Sequence, residues 1–136
     1  MLGHWNDGGY GCDVDMAVGN LYEELSTIPV CTPVASKMKY VMGHTHINDI
    51  VEDDIGFIVA GQGMSQGDQS GDFGLPVFDT TDGRFRVFYF SFAKKGENVQ
   101  VFDKDAYDEI LDCIQVNGIS NCYSLAEVWS DLPLPE

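Results

Sequence analysis

Apolar positions along the chain change period several times. In residues 13–25, Val14, Ala17, Val18, Leu21, Tyr22 and Leu25 recur at helical spacing on one face. Asp13 and Asp15 suit the positive end of that predicted helix. Pro29 and Pro33 then stop it and predict an extended connection. Residues 39–43, 50–51 and 55–60 read as short strands, with the acidic turn Glu52-Asp53-Asp54 before the last. Residues 61–75 carry Gly61, Gly63, Gly67, Gly71 and Gly74 and read as a loop.

Residues 77–80 and 84–92 predict a hairpin across Thr81-Asp82-Gly83. Phe85, Val87, Tyr89 and Ser91 share one face of its second strand; Arg84, Arg86, Phe88, Phe90 and Phe92 share the other. The later half is apolar on both sides, as expected of a strand buried within a layered core. Residues 103–117 predict a second helix with Tyr107, Ile110, Leu111 and Ile114 as its core stripe, Asp103 as N-cap and Gly118 as stop. A short last helix is predicted from Ser124, with Glu127 completing a capping box. The element order predicts an α/β layered unit with a mixed sheet.

Composition adds two restrictions. The formal net charge is −15, from 7 basic and 22 acidic residues. Such a surface repels phosphate backbones and anionic lipid, which argues against nucleic acid and membrane surfaces as partners. No apolar run reaches the ~18 residues of a membrane span, and residues 1–7 do not read as a signal peptide.

Cys12, Cys31, Cys113 and Cys122 form no C-x-x-C and allow three pairings, or four reduced buried thiols. Proximity favours Cys12–Cys31 and Cys113–Cys122. Disulfides would place the parent protein in a secretory or extracellular compartment.

The chain has three histidines. His44 and His46 follow an apolar strand in Val41-Met42-Gly43-His44-Thr45-His46, and His4 follows apolar residues in Leu2-Gly3-His4-Trp5-Asn6. Histidines at i and i+2 point the same way if the strand continues, and neutral imidazole is a common metal ligand. Two strand ends presenting imidazole would bring all three to one sheet edge. Asp7 and Asp49 are further carboxylates near these segments in the chain, with nothing in the sequence selecting them over a solvated role.

Gly43-His44-Thr45-His46 resembles the terminal G-H-x-H motif of calcineurin-like metallophosphoesterases, which include purple acid phosphatases and acid sphingomyelinase-like enzymes. Gly3-His4-Trp5-Asn6 resembles the preceding single-histidine motif, and residues 57–63 resemble the strand and glycine turn that follow.

The resemblance implies a four-layer α-β-β-α sandwich. Residues 1–102 would be the C-terminal half of such a domain and residues 103–136 a helical extension packed on it. It implies a metal-dependent phosphoric ester hydrolase with two Fe, Mn or Zn ions, acting on a small phosphoester. His4 and His44 would bind one ion and His46 the other. The family's D-x-H, G-D-x-x-D and G-N-H-D/E motifs have no counterpart, so no catalytic or substrate-binding residue is assigned. The expectation is a fragment with a partial site, inactive alone, and prone to self-association through an exposed sheet face. The alternatives are a mononuclear zinc protein using the three histidines and a secreted acidic binding domain without catalysis.

Overall fold

The computed structural model describes residues 1–2, 18–43, 48–51, 55–59, 73–95 and 100–134. It is a mixed α/β protein with several small sheets. Two units divide the chain at Ala60 and Gly61.

In the first unit, helix α1 (Val18–Thr27) is followed by strands β1 (Tyr40–Met42), β2 (Asn48–Val51) and β3 (Gly56–Val59). The sheet order is β1-β3-β2, with β3 parallel to β1 and antiparallel to β2. The mixed sheet expected from the sequence is therefore present. Val18 packs with Tyr40, Met42 and Ile58 in a buried cluster, joined by Met1, Tyr22 and Ile55. The Tyr22 and Tyr40 rings lie 5.3 Å apart.

Two local expectations need correction here. Leu21 was expected on the core face of the helix, but it is 51% exposed. The helix buries a narrower stripe led by Val18, with Tyr22 one turn on, and Leu21 sits on its shoulder. The connection after Pro29 is not wholly extended. Residues Thr32–Lys37 form a 3-10 helix with proline in its first turn, where the missing N–H costs no internal bond. Residues 13–17 of the predicted helix lie outside the described residues.

The second unit is organised by one strand. Strands β4 (Gly74–Asp79), β5 (Arg84–Ser91) and β8 (Glu127–Pro133) form an antiparallel sheet in the order β4-β5-β8. The central strand buries Phe85, Val87, Phe88, Tyr89 and Phe90, and so both of its faces, as its sequence predicted. Pro76 is accommodated because β4 is an edge strand. Gly74 is required by packing: a Cβ there would sit 2.0 Å from the Tyr89 hydroxyl, and the Tyr89 ring is itself stacked on Trp129 at 4.0 Å. Strands β6 (Ala93–Lys95) and β7 (Gln100–Phe102) form a separate antiparallel pair.

Helix α2 (Lys104–Asn117) begins as predicted. The Asp103 carboxylate accepts from the Asp105 and Ala106 amides, satisfying donors that the first turn leaves free. Gly118 closes the helix at φ 78°, a backbone value that favours glycine. Ile110 packs with Phe88, Phe90 and Cys122, and Cys113, Ile114 and Tyr123 join that cluster. Cys113 and Cys122 form a disulfide that ties the helix to the 3-10 helix Ile119–Leu125.

The last predicted helix is not formed. Residues Glu127–Pro133 are β8, paired with the far edge of β5. The Ser124–Glu127 capping pattern is a local signal worth about 1 kcal/mol. It loses to a ladder of backbone bonds, interrupted by one register shift at Val87/Phe88, along an otherwise unpaired edge of the most apolar strand.

Candidate metal site

One end of the first sheet is where the histidine-bearing segments depart. The Met1 nitrogen donates to the Lys39 carbonyl at 2.7 Å, and the Val41 amide donates to the Met1 carbonyl at 2.9 Å. Leu2 thereby forms a parallel bridge with Val41. Residues 1–2 thus run beside β1 in the same direction, on the edge that β3 does not occupy. The short β1 forms because Tyr40 and Met42 are drawn into the core while the backbone of Val41 is bonded by Met1.

His44 follows Gly43 directly, and His4 is two residues beyond Leu2. His4, His44 and His46 themselves lie outside the described residues, as do Asp7 and most of the glycine-rich segment. Among the described residues, no group of three or more His, Cys, Asp or Glu side chains is placed to hold a metal ion.

Asp49 is described. It lies in β2 opposite Ile58, and Ile58 is in turn opposite Met42, so these three residues form one row across the sheet. The row is at the end where β1 finishes. Asp49 is exposed, and one of its carboxylate oxygens accepts from the Ile50 amide at 2.8 Å. Cys31 forms no disulfide among the described residues, and its expected partner Cys12 lies outside them.

The second unit holds a different polar group, one the sequence reading did not single out. Asp79 and Arg86 face each other across the β4–β5 ladder, with Nη1 and Oδ2 3.5 Å apart. Asp131 on β8 receives Arg84 Nε at 2.5 Å and Arg86 Nε at 3.5 Å. Hydrogen bonds from Thr81, chiefly its backbone amide, hold the Asp79 carboxyl below the ordinary range, with Arg86 assisting. The hydrogen bond from Arg84 does the same for Asp131. Burial raises the Tyr123 hydroxyl above its usual value, and the nearby Asp79 charge adds to that.

Each guanidinium here has a carboxylate partner, so the group ties three strands together. Hairpin register was the signal that could have found it: a turn at 81–83 sets Asp79 opposite Arg86.

Among the described residues, no helix is long and apolar enough to cross a membrane. No protein-family model matches the chain, and neither does any curated protein or solved structure.

Proposed function

We propose that this chain supplies His4, His44 and His46 to a metal centre that hydrolyses a phosphoric ester. The reading rests on the motif resemblance and on one structural observation that supports it. The parallel bridge between Leu2 and Val41 sets the segments leading to His4 and to His44 side by side, running in the same direction. An antiparallel pairing there would have sent the two segments to opposite ends of the sheet.

The donor set suits divalent or trivalent iron, manganese or zinc, which accept imidazole nitrogen. Held by these residues, such ions would supply Lewis acidity toward a phosphoric ester and activation of water. The chain's own residues hold and orient. The imidazoles bind in their neutral form, so acid weakens retention. Asp49 presents a carboxylate at the same end of the sheet as the end of β1. Three imidazoles fill less than two metal shells of about four ligands each. The complete centre therefore draws on further donors, and the four-layer sandwich belongs to this same reading. An extracellular or secretory location suits a protein with a disulfide at Cys113–Cys122.

Calorimetric titration of the full chain with Zn²⁺ and Mn²⁺ tests the proposal. The expected result is weak binding that His44→Ala and His46→Ala each reduce, with negligible turnover of an aryl phosphate. One tightly held zinc per chain would favour a mononuclear three-histidine site instead. Titrations unchanged by all three histidine substitutions would overturn both.

A further inference from the structure

A groove opens in the second unit between the sheet and helix α2. Its volume is about 250 Å³, and it is lined by Leu75, Phe92, Tyr107, Ile110, Leu111 and Ile114. Leu75 lies at the start of β4 and Phe92 just after β5. The other four residues are the stripe of α2 that the sequence marks as apolar. Leu75 and Tyr107 are 39% and 38% exposed, so the groove is open to solvent at those two residues.

Its wall is already fixed. Phe92 and Tyr107 meet edge to face with ring centres 5.6 Å apart. Phe102 packs against both, at 6.1 Å and 5.5 Å. Three rings at these separations brace one another. A ligand entering beside them meets a preformed surface and orders little of it.

Charge narrows the class of ligand. None of the six lining side chains is charged, and the only side-chain polar atom among them is the Tyr107 hydroxyl. Two lysines near it in the chain pair with carboxylates: Lys94 lies 3.6 Å from Asp103, and Lys104 pairs with Asp108. A carboxylate or phosphate headgroup would meet no charged lining side chain, and it would approach a chain of net charge −15. An apolar cavity of about 150 Å³ is enough to hold a benzene ring.

We propose that this groove binds a small uncharged apolar molecule, the size of one aromatic ring or a short alkyl chain, with at most one hydroxyl directed at Tyr107. The proposal does not depend on the metal reading.

The test is a titration of the full chain with 1-hexanol and, separately, with hexanoate, followed by the methyl signals of Leu75, Ile110, Leu111 and Ile114 in ¹H–¹³C spectra. Hexanol is expected to shift these methyls saturably, and hexanoate to bind at least about tenfold more weakly because its charge is poorly solvated there. Leu75→Asp, at a position already partly exposed, is expected to weaken hexanol binding about tenfold or more while leaving the far-UV spectrum unchanged. Leu75→Phe narrows the groove without adding charge and is expected to weaken binding too. The proposal is overturned if the methyls do not respond to hexanol, if hexanoate binds as well as hexanol, or if both folded Leu75 variants bind like the parent chain.

Discussion

The two units put their polar groups to different uses. In the second, Arg84, Arg86, Asp79 and Asp131 neutralise one another across three strands, and Asp103 caps a helix that a disulfide anchors at its far end. These groups are spent on holding the unit together. In the first, the described core is a cluster of Val18, Tyr40, Met42 and Ile58, with no disulfide among its described residues. The residues suited to metal chemistry follow the ends of its parallel segments in the chain. The contrast teaches where to look for function. A charge paired across a ladder is structural, whereas the histidines that follow the two paired segments in the chain are the residues on which the proposed function rests.

The sharpest way to break this contrast is to damage the second unit and ask whether metal binding changes. Phe90→Ala empties a fully buried position in the central strand and should cost about 3–5 kcal/mol in chemical denaturation. Zinc affinity of the folded fraction should stay unchanged, and a parallel loss of affinity would show that the two properties are not separable. Cys113→Ser removes a crosslink with a sequence separation of 9 and should cost about 2–3 kcal/mol. Thiol counting on the unfolded, unreduced parent chain should find that pair oxidised. Asp103→Ala leaves the first-turn amides of α2 without their acceptor and should cost about 1 kcal/mol, read as a lower urea midpoint.

The smallest expected effect is on pH dependence. The carboxyls of Asp79 and Asp131 titrate below their ordinary range when folded. Their stabilisation is therefore complete above the unfolded value of about 3.9 and is lost as pH falls through the lower folded values. The urea midpoint should drop across that acid window, and Asp79→Asn should make the drop shallower. An equal slope in the variant would remove Asp79 from the account.

Much of this fold is legible in the sequence where local pattern and tertiary environment agree. The double-faced apolar run in β5 announces its central place, and Asp103 and Gly118 bracket α2 as their side chains and backbone require. The Cys113–Cys122 pairing followed from proximity. Local pattern misleads where a long-range partner outweighs it. Ser124 and Glu127 spell a capping box, yet residues Glu127–Pro133 are claimed by the open edge of β5. The Leu2–Val41 bridge carries the candidate site and was legible only in part. Apolar residues before each histidine suggested strand ends, but two-residue pairings give no periodic signal of direction. The groove beside α2 was invisible because Leu75 and Phe92 reach it from distant positions in the chain.

The most direct test of the central claim uses Mn²⁺ as a paramagnetic probe on the full chain, observed through backbone amide signals. Binding at the paired segment ends should broaden Leu2, Met42 and Gly43 first, at low stoichiometry, and His44→Ala should remove that broadening. Broadening that instead falls first on Asp105, Glu109 and Asp112, exposed carboxylates of α2, and that His44→Ala leaves untouched, would contradict a metal centre at the end of the first sheet.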